Sequence, residues 1–357
     1  MSLLYQSDSS ILIDHRIYIK KFYGCVSFGD KMNAYEMTQS LFCIISDQEP
    51  PSRKRKLENQ QLHEECSKVK EMYEQFLNNL PVHLRSSSNI KINTSKVRDL
   101  AQKLFESTLF DHKGISGGND SDSALACTVK ENSFLIPPNS RFFCGDVKEQ
   151  CNKLSGSKFD IVIADPPWWN KYIRRLKNAN DKLSYSMMYN KDIASIPVKN
   201  LLASNCLVAV WCTNAPSNIA AVKDLIFPQW GVEYLTTWYW LKVTTNMEPL
   251  CNFSVGCKKQ PYERIMLGKI GDISVPKDQL IVSVPSALHS HKPPLLEQLS
   301  RYVNTPKPEI LELFARYLLP NTTSVGFEPL KWQHISLYDK ISYSVDYLNY
   351  SSRNKTI

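Results

Sequence analysis

With 357 residues, 43% of them hydrophobic, the chain is long enough for roughly two domains with full cores. A formal net charge of +8 and a pI of about 8.8 favour a polyanionic partner over an acidic one. No apolar run approaches the roughly 18 residues that cross a bilayer, the first residues lack a secretory pattern, and the ten cysteines include no Cys-x-x-Cys pair, which disfavours a zinc module and fits a reducing compartment. An intracellular, soluble protein with no membrane association is expected.

Residues 1 to about 50 alternate weakly, as in Ile11-Leu12-Ile13-Asp14-His15-Arg16-Ile17-Tyr18-Ile19, and predict a few strands. Pro50-Pro51-Ser52-Arg53-Lys54-Arg55-Lys56 follows, four cations behind two prolines. It reads equally as a nuclear-import signal, a phosphate contact or a solvated loop. Leu62, Cys66, Val69, Tyr73, Phe76 and Leu80 recur at helical spacing and predict a helix over 57–80, ended by Pro81. Val97, Leu100, Ala101, Leu104, Phe105 and Leu109 predict a second helix over 95–109. The stretch 111–123, rich in Gly, Asp and Ser, reads as a linker.

Beyond it, strands are predicted over 141–144, 159–164, 206–211, 235–243, 264–267, 280–284 and 310–314, and helices over 217–226 and 294–303. Short, nearly continuous apolar strands such as Leu207-Val208-Ala209-Val210-Trp211 imply burial on both faces. The expected fold is therefore α/β, a mostly parallel sheet flanked by helices, preceded by a smaller mixed α+β N-terminal domain. The expected division is an accessory region over 1–130, a catalytic domain over 131–340 and a polar tail over 341–357. Trp238, Tyr239 and Trp240 read as core.

The chemistry centres on Asp165-Pro166-Pro167-Trp168, directly after the strand Phe159–Ala164. Ligands of such sheets bind outside the carboxyl ends of the strands. The exocyclic nitrogen of adenine is a poor nucleophile because its lone pair is delocalised into the ring. The Asp165 carboxylate and the Pro166 carbonyl could accept both of its N–H bonds, on a stiff support that Pro166 and Pro167 supply. Trp168 offers a plane for a base. The basic, partly aromatic stretch after Trp169, with Arg174, Arg175, Lys177 and Tyr185, suits phosphates and bases.

The stretch from about 133 to 334 resembles the MT-A70 family of adenine-N6 methyltransferases, and within it the methyltransferase-like 4 subfamily. The resemblance rests on Cys144-Gly145-Asp146-Val147, Ala164-Asp165-Pro166-Pro167-Trp168, Trp240-Leu241-Lys242-Val243, Lys259-Gln260-Pro261-Tyr262-Glu263, Leu288-His289-Ser290-His291-Lys292-Pro293-Pro294-Leu295 and Leu311-Glu312-Leu313-Phe314-Ala315-Arg316. It implies a Rossmann-like methyltransferase domain with S-adenosylmethionine as methyl donor and no metal. Asp146 and the Val147 backbone would hold the cofactor adenine, Lys292 the cofactor carboxylate or the target nucleotide, and Arg316 and Glu328 the ribose. Tyr185 matches a tyrosine near the target adenine. The catalytic motif precedes the cofactor strand, the order of the β group of amino-methyltransferases. The chain departs from the subfamily at Arg316-Tyr317 and at Val325-Gly326-Phe327-Glu328, where relatives carry Arg-Asn and Trp-Gly-Asn-Glu. The expected activity is N6-adenine methylation of nucleic acid, with 2′-O-methyladenosine of U2 small nuclear RNA preferred, DNA adenine as the alternative, and a catalytically weak nucleic-acid-binding scaffold as the reading of another class. Nothing in the sequence demands a protein partner. A nuclear location is expected, with an additional cytoplasmic or mitochondrial pool as the alternative.

Overall fold

A computed structural model describes residues 2–29, 31–44, 60–85, 94–169, 187–254 and 259–341. Arg53 to Lys56, Arg174, Arg175, Lys177 and Tyr185 lie outside them. In chain order the strands are β1 (Leu3–Gln6), β2 (Ser10–Ile13), β3 (Val26–Phe28), β4 (Lys31–Met37), β5 (Ser116–Asn119), β6 (Ala124–Val129), β7 (Asn132–Ile136) and β8 (Ser140–Cys144). They continue with β9 (Phe159–Ala164), β10 (Leu202–Cys212), β11 (Glu233–Lys242), β12 (Tyr262–Ile270), β13 (Leu280–Ser283), β14 (Ile310–Leu313), β15 (Thr322–Gly326) and β16 (Tyr338–Ile341). Among the described residues they form an eleven-stranded sheet, ordered β1-β2-β13-β11-β12-β10-β9-β14-β15-β8-β5, and a five-stranded sheet, ordered β16-β4-β3-β6-β7. Strands β10, β9, β14, β15 and β8 run parallel to one another, as do β11, β13 and β2. Strand β12 lies between the two parallel groups and runs against both of its neighbours.

The central strands are apolar on both faces because both faces are covered, as expected from their composition. Ile161 and Ile163 of β9, with Leu207, Ala209 and Trp211 of β10, pack into one core with Tyr18 and Ile19 of helix His15–Tyr23 and with Leu295, Leu296 and Leu299. The alternate residues Val162, Ala164, Val208, Val210 and Cys212 face the other way, onto Val147, Cys151, Ile193, Val222, Ile226 and Trp230. Helix Gln60–Asn79 lays Val69, Met72 and Phe76 on Tyr239, Leu241, Tyr262 and Val282. Burying each such side chain contributes about 1.5–3 kcal/mol. The predicted apolar face of this helix is the buried one, and Trp238, Tyr239 and Trp240 are core, 1–4% exposed.

Three local expectations are corrected. The run from Ile11 to Ile19 is a strand only as far as Ile13. Asp14 then caps a helix by accepting from the Ile17 N–H at 2.9 Å, and the chain buries His15, Tyr18, Ile19 and Tyr23 at helical spacing. The glycine-rich linker contains β5, which pairs with β8. A Cβ on Gly118 would meet the Ser140 carbonyl oxygen at 2.3 Å, so glycine there answers a close approach of two backbones. The helix expected over 294–303 reduces to Leu296–Leu299 followed by a 3₁₀ turn, Ser300–Tyr302. Both sheets run across the sequence boundary expected near 130: β2 pairs with β13, and β16 pairs with β4.

Candidate active site

The parallel register sets four chain ends side by side. Cys144 pairs with Gly326, Val325 with Leu313, and Leu313 with Ala164. The residues that follow, Asp146, Phe327, Phe314 to Arg316, and Asp165, therefore line one edge of the sheet. Phe314 turns the chain sharply there at φ +63. The backbones crowd at this point: a Cβ on Gly326 would lie 2.9 Å from the Ala315 nitrogen and oxygen.

Because β12 is antiparallel, its beginning lies at the same edge as the ends of its neighbours. Glu263 sits opposite Trp240, and Lys242, ending β11, sits opposite Ser283, ending β13. The loop after β13 brings in Lys292. Its Nζ lies 3.8 Å from Asp165 Oδ1 and is hydrogen-bonded to Glu263, which also takes Lys242. The Lys292 ammonium stands 5.1 Å from the Trp211 ring centroid and 5.9 Å from that of Trp240. Only 13% of the Lys292 side chain and 21% of the Asp165 side chain is exposed, so the pair sits in a low-dielectric recess. Burial raises the Asp165 pKa from its ordinary value, against the pull of Lys292 and Arg316. Burial alone would also raise that of Glu263, but Lys292 and Lys242 outweigh it and hold this carboxyl well below its ordinary value. Burial works against the Lys292 ammonium, yet Asp165 and Glu263 raise its pKa.

The loop after β9 is pinned on both sides. The Asp165 N–H donates to the Leu313 carbonyl at 3.3 Å, and the Met188 N–H donates to the Pro167 carbonyl at 2.8 Å. The Trp168 N–H donates to the Pro166 carbonyl at 2.8 Å, leaving that oxygen one further lone pair. The Trp168 side chain is placed differently from the expectation. It is 7% exposed, packed in the core, and its Nε1 donates to the Trp211 carbonyl at 2.9 Å. It anchors the loop rather than offering an open plane. The accessible aromatic surface beside it is Trp169 stacked on Tyr189, with centroids 6.1 Å apart and planes 18° apart, and Tyr189 is 62% exposed.

On the other half of the edge, Asp146 caps helix Val147–Lys153, its Oδ1 accepting from the Glu149 N–H at 3.0 Å. The Val147 side chain is buried in the core, so only its backbone faces the edge. Glu328 is buried and its Oε2 accepts from Lys331 at 2.8 Å, so an internal cation occupies the carboxylate expected to meet the ribose. Tyr317, where the resemblance implied asparagine, turns inward and donates its hydroxyl to the Lys292 carbonyl at 3.0 Å. His289 is exposed, whereas His291 is buried against His15, their ring centroids 4.4 Å apart. Glu263 and Lys242 received no role from the sequence, because neither follows a parallel strand within a loop motif. Their signal was the long-range pairing of β11 with β12.

A mostly parallel sheet carrying an acidic residue after a central strand, with one antiparallel strand inserted, defines a protein of Rossmann-like methyltransferase architecture. Residues 159–328 match the family model MT-A70. It is similar to the human protein described as N(6)-adenine-specific methyltransferase METTL4, with 37% identity over 62% of this chain and 48% of that protein. It is also similar to a Caenorhabditis elegans protein described as DNA N6-methyl methyltransferase, 41% identical over 58% of each chain. A third relative, from Cryphonectria parasitica, is described as N6-methyladenosine RNA methyltransferase MTA1, with 36% identity over 46% of this chain and 50% of the other. The chain spans about half the length of the curated relatives it matches.

Proposed function

We propose that the protein is an S-adenosylmethionine-dependent adenine-N6 methyltransferase acting on an unpaired or flipped adenine of nucleic acid. The observation that carries this reading is the placement of Asp165 in a recess beside Lys292, with the Pro166 carbonyl next to it on a pinned loop. The Asp165 carboxylate accepts one N–H of the adenine amino group and the Pro166 carbonyl the other, which turns the nitrogen lone pair out of conjugation. Lys292 holds Asp165 in place and is itself held by Glu263. The proton that the nitrogen sheds after alkylation can pass to Asp165, whose raised pKa suits that task.

The residues facing the cofactor half fit S-adenosylmethionine chemically. Asp146 supplies an acceptor for an adenine amino group, Arg316 and Lys292 supply cations for a carboxylate, and Phe314 and Phe327 supply apolar surface. The cleft between Pro167, Phe314, Arg316, Phe327 and Glu328 is only about 20 Å³, so binding has to widen it. Phe327, at its rim and 41% exposed, is the side chain with room to turn. When bound, the cofactor supplies an electrophilic methyl group.

RNA is the preferred substrate, as 2′-O-methyladenosine in U2 small nuclear RNA, on the subfamily resemblance. DNA adenine is the second reading, favoured by the relative described as a DNA methyltransferase. A nuclear substrate requires nuclear entry, for which Arg53-Lys54-Arg55-Lys56 is the basic run available. The test is incubation with labelled cofactor and RNA or DNA oligonucleotides, with and without 2′-O-methyladenosine, followed by digestion and mass spectrometry. N6-methyladenine in any oligonucleotide supports the reading, and its absence from all of them overturns it.

A further inference from the structure

Lys242 also lines a second cavity, of about 290 Å³. It is enclosed jointly by the N-terminal region and the region that matches MT-A70. Helix Thr94–Ser107 contributes Val97 and Arg98, the chain at Ile44 closes one corner, and the loops at 250–251, 259–261 and 285–289 form the rest. Arg98, Lys242 and Lys259 bring three cations from three separate segments, and no carboxylate is among the described residues that line it. Lys242 is the connecting wall, since its ammonium pairs with Glu263, which pairs with Lys292 beside Asp165. The seam is fixed by a backbone bond of 2.7 Å from the Ala287 N–H to the Leu41 carbonyl, which ties the loop after β13 to the N-terminal region.

We propose that this cavity is a subsite for the nucleotide next to the target adenine, holding its phosphate. The proposal rests on the methyltransferase reading above. The chemistry is that of a phosphodiester: a guanidinium that can pair two phosphate oxygens, two ammonium groups as point charges, and an apolar floor of Val97, Pro261 and Leu288 for a sugar or base edge. The volume suits one nucleotide rather than a duplex, in keeping with an unpaired target strand. Contacts of this kind set register without reading sequence. They also give the N-terminal region a part in substrate binding in addition to its part in the core.

The test compares the full chain with the double variant Arg98→Ala/Lys259→Ala. The substrates are a single-stranded pentanucleotide with one central adenine and the free nucleoside, which has no flanking phosphate. The variant is expected to raise KM for the pentanucleotide about tenfold, with saturated turnover within about twofold and nucleoside kinetics unchanged. The slope of log affinity against log salt should fall by about 0.7, the value for one phosphate contact on a single strand. Arg98→Lys/Lys259→Arg should restore most of the affinity. An unchanged pentanucleotide KM and salt slope in a folded variant overturns the subsite, as does an equal loss with the nucleoside. If the wild type transfers no methyl group to any substrate, the methyltransferase reading fails. Fluorescence anisotropy of the labelled pentanucleotide then decides the subsite by itself: equal affinity of wild type and variant overturns it, and a salt-sensitive loss supports it.

Discussion

The two halves of the functional edge are built from different strand geometry and hold charge differently. On the half proposed for the cofactor, parallel strands β8, β15 and β14 present short chain ends, and their carboxylates are engaged locally, Asp146 by its own helix and Glu328 by Lys331. On the half proposed for the substrate, the antiparallel β12 inserts Glu263 between two lysines from other segments, and the network reaches Asp165. Beside the locally satisfied groups lies a cleft of about 20 Å³. A network that spans segments is rigid, because each charge is held by groups it cannot leave without stranding another in a low dielectric.

The largest expected effect is at the junction of the halves. Asp165→Ala should reduce methyl transfer at least about a hundredfold, the scale of a lost transition-state contact, while nucleic-acid affinity stays within a few-fold in a binding titration. Substantial residual turnover would remove Asp165 from the reaction.

Glu263→Gln comes next, because it removes the charge that two ammonium groups share and leaves Lys292 with Asp165 alone. Unfolding free energy should fall by about 1–3 kcal/mol and turnover by about tenfold, read from urea melts and initial rates. A variant with wild-type stability would mean that the network contributes shape but not energy.

Acid and base should act on different groups beneath this edge. Burial lowers the pKa of His15 from 6.5 to about 3 and pushes that of the adjacent His291 well below its ordinary value. Each folded pKa is depressed, so the unfolded chain binds protons first, and the stability present above pH 6.5 is lost as pH falls towards about 3. Glu312 behaves oppositely. Burial, with the Asp165 charge, raises its pKa from 4.5 to about 8, and its Oε2 has no hydrogen-bond partner among the described residues. Its folded form keeps a proton, so its cost grows as pH rises from 4.5 to about 8. Glu312→Gln should therefore be more stable than wild type at pH 8 and no more stable at pH 4.5. An equal difference at both pH values would show that Glu312 does not titrate in this range.

The smallest effect is expected at Tyr317→Phe, which removes one neutral hydrogen bond to the Lys292 carbonyl, about 0.5–1.5 kcal/mol. Turnover should fall a few-fold, with cofactor affinity unchanged by calorimetry. A loss confined to cofactor affinity would instead place Tyr317 with the ribose, as the asparagine of its relatives was expected to be.

What the sequence determined by itself was whatever is continuous along the chain. The strand Phe159–Ala164 with Asp165 behind it, the doubly apolar strands and the helix that buries Val69 and Phe76 were all legible, because residue spacing carries them. The short β15 was not, since its Thr322 and Ser324 are polar yet buried, 2% and 0% exposed. Neither was β5, whose glycines read as a linker until a neighbouring backbone needs the space. Only the tertiary structure decided that Glu263 meets Lys242 and Lys292, that Trp168 points into the core and that Arg98 and Lys242 line one cavity. Those outcomes depend on which strands pair and in which direction, a choice made by burying whole faces and not by any local run of residues.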